Sequence, residues 1–202
     1  MKAEVTALSF LKESSKLTLT LTSPDGNKDT LCFTLFLDDY RALGEPVVGT
    51  LLSPARLEAL ETAHKRREAC RRALSLLEHG DNSQRLLYRK LRMRGFSEDA
   101  SFFALSYVRE RGWLNEEEQL RRLIVRLAEE KLWGEGRILP FCVGKGYRSD
   151  DVRALVTVLE EEGLLDFSRT KKRLFQKARP STEKEWRACL YKHGFSTDGD
   201  NN

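Results

Sequence analysis

From Val5 to Leu37 the chain alternates apolar and polar positions. In "KLTLTLT" Leu17, Leu19 and Leu21 face one way while Lys16, Thr18, Thr20 and Thr22 face the other. That period of two predicts a half-buried strand. "SPDGN" at residues 23–27 has the residue types of a tight turn, and "TLCFTLFL" after it reads as the returning strand of a β-hairpin, with Ala3 to Leu11 as a third strand. A two-stranded hairpin is marginal alone, so it is expected to pack on the helices that follow. Pro46-Val47-Val48-Gly49 and Ser53-Pro54 break the pattern, with Ser53 placed to cap a helix and Pro54 in its first turn.

Beyond Pro54 the period changes to that of a helix. Between Asn115 and Lys131, Leu120, Leu123, Ile124, Leu127 and Lys131 follow the i, i+3, i+4, i+7 stripe. Asn115 with Glu118, and Thr182 with Glu185, have the spacing of a capping box. Leu132, Trp133 and Gly134 are expected to end the first of these helices, and Pro140 to kink or shorten the next.

Three helix ends are alike: "LRMRGF" (91–96), "CVGKGY" (142–147) and "LYKHGF" (190–195), each with a cation before a glycine and an aromatic after it. Gly95, Gly146 and Gly194 are 51 and 48 residues apart. Ser97-Glu98-Asp99 and Ser149-Asp150-Asp151 each begin a further helix, with acids at its positive end. Those helices stop at Gly112 and Gly163, each 17 residues after the opening glycine. A glycine in this position takes the left-handed conformation that ends a helix, and the aromatic folds back on the last turn. The predicted fold is mainly α: tandem three-helix repeats in an elongated, curved array, preceded by a small N-terminal β-hairpin subdomain. The expected boundaries are 1–53 for the hairpin region, 54–114 and 115–165 for two repeats, and 166–202 for a truncated third, since "STDGDNN" cannot supply its last helix.

Charge sharpens this picture. The net charge is only +4, but residues 1–60 carry 6 basic and 8 acidic groups while residues 61–134 carry 16 and 12, and residues 135–202 carry 13 and 11. Arg85, Arg89 and Arg92 fall at i, i+4, i+7, opposite Leu87 and Leu91, so they form one exposed line. Two more runs are poor in acids: Lys65 to Arg72 around Glu68, and Arg169, Lys171, Lys172, Arg173, Lys177 and Arg179. Three basic runs on a repeat array suit an acidic partner or phosphates.

Other chemistries find little support. Cys32, Cys70, Cys142 and Cys189 are far apart and form no C-x-x-C, and His64, His79 and His193 are scattered, so neither a disulfide framework nor a metal site is expected. "WGEGR" lacks the sequel of a phosphate-binding loop, and no nucleophile–base arrangement can be traced. The chain has no run of about 18 apolar residues and no signal-peptide core at its start. A non-enzymatic, cytoplasmic protein without cofactor is expected.

With these motifs in hand, the chain resembles the RecX family, the bacterial modulators of the RecA recombinase. The family's helix ending in Lys-Leu-x-x-Lys-Gly-Phe, followed by one ending in Gly-Tyr-Leu-Asp-Asp, is echoed by Lys90-Leu91 through Gly95-Phe96 and by Gly112-Trp113-Leu114-Asn115-Glu116. It is echoed again by Trp133-Gly134, Arg137-Ile138, Lys145-Gly146-Tyr147 and Gly163-Leu164-Leu165-Asp166. The resemblance implies a monomer that binds in the groove of the RecA filament on single-stranded DNA and restrains strand exchange, ATP turnover and coprotease action, within recombination, repair and the SOS response. The expected contact residues are Arg85, Arg89, Arg92, Arg122, Arg126, Arg169, Lys171, Lys172 and Arg173. Weak direct contact with DNA fits the same surface. A direct DNA-binding helical module and a general protein-interaction scaffold remain as rival readings.

Overall fold

The computed structural model describes residues 2–12 and 14–196 of the chain. The segment 197–202, which holds most of the truncated end of the expected third repeat, lies outside the described residues. The chain divides into two compact units, Met1–His79 with Leu87–Trp113, and Gly80–Leu86 with Leu114–Asn202.

In the first unit, β1 (Lys2–Leu11), β2 (Ser14–Thr22) and β3 (Lys28–Phe36) form an antiparallel meander, joined by the "SPDGN" turn as the sequence predicts. Leu17 and Leu19 are fully buried while Lys16 is exposed, so the period-two reading holds. Thr6 lies at a register shift between Val5 and Ala7. Two elements were not expected. A helix α1 (Leu37–Ala42) follows β3 directly, and β4 (Leu51–Leu52) pairs with β1 to complete the order β3-β2-β1-β4. Both are too short to show a period, and tertiary anchors hold the segment instead: Tyr40 is buried and its hydroxyl donates to the Pro46 carbonyl at 3.3 Å.

The sheet does pack on helices. The long helix α2 (Pro54–Glu78) opens with Ser53 Oγ accepting from the Arg56 amide and Pro54 at its first position. Its Leu57, Leu60 and Ala63 join Val5, Leu17, Leu19, Phe33 and Leu35 in one core. His64 on the same helix meets the outer edge of β3, where its Nδ1 accepts the Thr34 amide at 3.0 Å and so occupies an otherwise open strand edge. Farther along, Ala69, Cys70 and Ala73 of α2 are fully buried, as are Ala100, Ala104 and Val108 of α4 (Glu98–Glu110). Small side chains let the two helices approach closely. Arg66 clamps Asp99, in the first turn of α4, through two hydrogen bonds of 2.8 and 2.9 Å, and this holds the Asp99 carboxyl below its usual range.

Helix α3 (Gln84–Arg92) spans the division between the units. In the second unit α5 (Glu116–Glu130), α6 (Glu135–Gly144) and α7 (Ser149–Glu161) enclose a core of Leu120, Ile124, Leu127, Ile138, Cys142, Val152, Leu155 and Leu159. Then come α8 (Phe167–Ala178) and α9 (Glu183–His193), whose Leu174 and Leu190 pack with Leu132 and Phe195.

Five helix ends share one device. Gly95, Gly112, Gly146, Gly163 and Gly194 all have φ between +69° and +98°. In each, the next residue's amide returns to a carbonyl five residues back: Phe96 to Leu91, Trp113 to Val108, Tyr147 to Cys142, Leu164 to Leu159 and Phe195 to Leu190. These are Schellman closures.

Three helix boundaries carry further detail. Helix α5 stops at Glu130, just before the expected Leu132-Trp133-Gly134, and Leu132 is left-handed (φ 56°). The strain of about 1–2 kcal/mol at such a residue is offset by burial of the leucine among Leu174, Leu190 and Phe195. Helix α7 begins at Ser149 with Asp150 and Asp151 in its first turn, as expected, and Arg148 before it makes no side-chain capping bond. Pro140 lies inside α6, which runs four residues past it to Gly144. Of the two capping boxes, Thr182–Glu185 is complete, whereas at Asn115 the side chain accepts the Glu118 amide at 3.2 Å.

Two tests follow from this packing. A Cβ at Gly95 would meet nothing within 4 Å, whereas one at Gly194 would collide with the backbone nitrogen of Arg137. Gly95→Ala should therefore cost about 1 kcal/mol in urea unfolding, the left-handed penalty alone, and Gly194→Ala roughly twice that or more, because backbone must move. Burial pushes the Cys70 and Cys142 thiols up to about 12, while Cys32 is exposed. With a chromogenic disulfide reagent at pH 8, the native protein should show rapid reaction at Cys32, with Cys70 and Cys142 reacting only on unfolding; fast labelling of either would contradict this core.

Candidate functional site

The expected basic line on α3 is present. Leu87 and Leu91 are fully buried and Arg85, Arg89 and Arg92 are exposed. Arg94 turns back to donate to the Lys90 carbonyl at 2.9 Å and so closes the negative end of the helix, while Arg92 reaches forward to the Phe96 carbonyl at 2.8 Å in the segment that follows. Neither Arg85 nor Arg89 has a hydrogen-bond or ion-pair partner among the described residues.

In the second unit, Arg122 and Arg126 lie one turn apart on the exposed side of α5. Arg122 is partly balanced by Asp81 at 3.4 Å and Glu118 at 3.5 Å. One turn beyond Arg126, Glu129 pairs with Arg173 of α8 at 3.4 Å, so Arg122, Arg126 and Arg173 follow one another across two helices. The 169–173 cluster is thus divided. Arg169 and Lys172 are exposed, but Lys171 turns to the other side of α8, 5.8 Å from the Phe195 ring.

That side of α8 borders a groove of about 770 Å³, and its architecture follows from how α9 ends. The last carbonyls of α9 meet the first amides of α6: Gly134 donates to His193 at 2.8 Å and Gly136 to Gly194 at 3.0 Å, while the Arg137 guanidinium donates to the Lys192 carbonyl. Opposite partial charges of two helix ends are thereby joined. Gly134 and Gly136 leave no room for a Cβ against Gly194 and Phe195, which explains glycine at both. A related contact lies at the start of α3, where Ser83 Oγ donates to the Lys145 carbonyl at 2.7 Å and accepts the Leu86 amide at 3.2 Å, next to Gly146.

The groove places Arg137, Lys171 and Lys192 beside a single acid, Glu135, with Phe195 in its wall and Tyr191 at its mouth, 81% exposed. Arg137 is held flat, 4.5 Å over the Trp133 ring. Cations around an open aromatic face can bind phosphate while a base stacks on the ring. Of these residues only Lys171 was expected. Arg137, Tyr191 and Lys192 come from sequence regions with unremarkable charge: Tyr191 and Lys192 fall in the third cation–glycine–aromatic ending, and Arg137 in the second echo of the family motif.

The first unit holds a second grouping that the sequence did not reveal. Arg67 covers the Phe36 ring at 4.7 Å, Phe36 stacks on Tyr107 at 4.9 Å, and Arg111 lies 3.7 Å over the outer face of Tyr107. Asp39 borders it, with one buried oxygen lacking a partner, and desolvation raises its carboxyl above the usual range. Among the described residues no cluster of histidine, cysteine or carboxylate could hold a metal ion, and no helix is long and apolar enough to cross a membrane.

No family model and no curated protein matches the sequence. Solved structures do. A crystal structure of regulatory protein RecX is similar over 96% of this chain and 95% of its own, at a TM-score of 0.70 and 19% identity. That of RecX from Lactobacillus salivarius is similar over 66% of this chain and 90% of its own, at 0.55 and 15%. The chain carries the fold of these RecX regulatory proteins, strands before helices, throughout nearly its whole length.

Proposed function

We propose that this chain is a RecX-type regulator: a non-enzymatic protein that binds the RecA filament on single-stranded DNA and restrains its recombinase, ATPase and coprotease activities. The likeness to a RecX structure over 96% of the chain is the observation that carries this reading. The motifs read from the sequence support it, as does the placement of cations on exposed helical faces. In this reading the helices form repeats over 54–114, 115–165 and 166–202, and Arg85, Arg89, Arg92, Arg122, Arg126, Arg169, Lys171, Lys172 and Arg173 belong to the contact surface. The protein acts as a monomer in the cytoplasm, in recombination, repair and the SOS response.

The test is ATP hydrolysis by RecA on single-stranded DNA with this protein added from substoichiometric to saturating amounts. Suppression well below one copy per recombinase subunit is expected. Reversing the charge of Arg85 and Arg89 together, both exposed, should weaken suppression about tenfold or more, as loss of several electrostatic contacts does. Unchanged hydrolysis at saturation would remove the reading.

A second reading, direct binding of single strands, is favoured by the groove at Arg137, Lys171, Lys192 and Tyr191. Titrating labelled oligothymidylate at several salt concentrations without RecA tests it. Each phosphate neutralised contributes a slope of about −0.7 in log affinity against log salt, so three contacts predict about −2. Tyr191→Ala should lower affinity by about 1–3 kcal/mol without changing the slope, as loss of one stacked base does.

A further inference from the structure

The second unit carries a groove of opposite character to its basic faces. Between the start of α5 and the length of α7 lies a cleft of about 450 Å³ whose apolar wall includes Leu120, Leu155 and Val158. Val158 is 38% exposed, on an otherwise charge-rich surface. The rim is acidic, with Glu117 and Asp151 exposed on either side, and no lysine or arginine is among the lining residues.

Acids in the first turn of a helix are ordinary, since they oppose the helix dipole, and alone they would mean nothing here. A second observation separates this cleft from capping. Tyr147 lines it, is only 5% exposed, and its hydroxyl makes no hydrogen bond with any described residue. The hydroxyl is not one of the buried polar atoms sealed without a partner, so it reaches the solvent of the cleft and can pair with a visiting group. Burial, and then the neighbouring Glu116 and Asp81, push its pKa well up, which keeps the proton on the oxygen.

We infer that this cleft is a docking site for a cationic amphipathic helix of a partner protein, with an apolar side chain seated against Leu155 and Val158 and lysine or arginine reaching Glu117 and Asp151. The shape suits a helix, because two packed helices leave a groove that takes residues at i, i+4 and i+7. Charge selects the partner. A phosphate backbone or an anionic membrane surface meets like charge at the rim, whereas a basic segment meets complementary charge. Exposed Arg122 and Arg126 on the other side of α5 repel a cationic partner while the cleft accepts it, which gives specificity through repulsion as well as attraction. On α5, Glu117 and Leu120 lie away from the side that bears Arg122 and Arg126, so the cleft and the basic line can be occupied independently. The inference does not depend on the RecA reading.

The probe is a fluorescein-labelled synthetic 15-residue helix with leucine at i, i+4, i+7 and i+11 and lysine at the remaining positions, followed by anisotropy with the full chain. Saturable binding is expected. Val158→Arg, which fills the cleft from an exposed position, and Asp151→Lys should each lower affinity at least tenfold, and a peptide with glutamate in place of lysine should not bind. Glu160→Lys makes the same charge change on α7 at a residue that does not line the cleft, and should leave affinity within twofold. Equal binding by Val158→Arg overturns the inference, as does an equal loss in Glu160→Lys, which would mean diffuse attraction. Competition by oligothymidylate would also overturn it by assigning the cleft to nucleic acid. Ala154→Arg, at another exposed lining position, repeats the block if Val158→Arg melts early.

Discussion

Short helices leave many backbone groups at their ends without partners, and this chain's architecture follows from how it satisfies them. At five ends a left-handed glycine lets the next amide reach back and close the last turn. At two helix starts the unmet groups are supplied by another element. The amides opening α6 take the carbonyls closing α9, and Ser83 ahead of α3 takes the Lys145 carbonyl beyond α6. The start of α9 receives no such neighbour, and there the chain carries its complete capping box, Thr182 with Glu185.

The basic surface is less uniform than its composition suggests. Arg66, Arg121 and Arg173 are tied to Asp99, Glu162 and Glu129, Arg94 to the Lys90 carbonyl of its helix end, and Arg92 to the Phe96 carbonyl beyond it. Exposed pairs of this kind contribute little to stability, about 0–1 kcal/mol each. Their larger effect is to set which cations stay available: Arg85, Arg89 and Arg126 by lack of a partner among the described residues, and Lys192 by position in the groove. Separate basic and acidic grooves on one unit suit a protein that contacts more than one chemical surface.

Much of the fold was legible in advance because it rests on local rules. Alternation from Lys16 to Thr22, the turn at 23–27, Ser53-Pro54, the stripe of α5 and the glycine–aromatic endings are each decided within a few residues by steric preference and burial of one face. Elements below one period were not legible. Helix α1 and strand β4 exist through partners distant in sequence, and Leu132 takes a glycine's conformation because three distant apolar side chains surround it. Of the expected cations, their exposure was readable, but the turning of Lys171 away from Arg173 was not.

The sequence by itself determined the three long strands and the main helices, that one ending recurs at intervals of about fifty residues, and that positive charge gathers after residue 60. Those properties are local, or are sums over residues. Tertiary structure alone decided which charges meet. The groove of Arg137, Lys171 and Lys192, the column of Arg67, Phe36, Tyr107 and Arg111, and the acidic cleft at Tyr147 each join residues tens of positions apart. Their proximity depends on close packing of helix faces, a property of the folded chain that no window along the sequence contains.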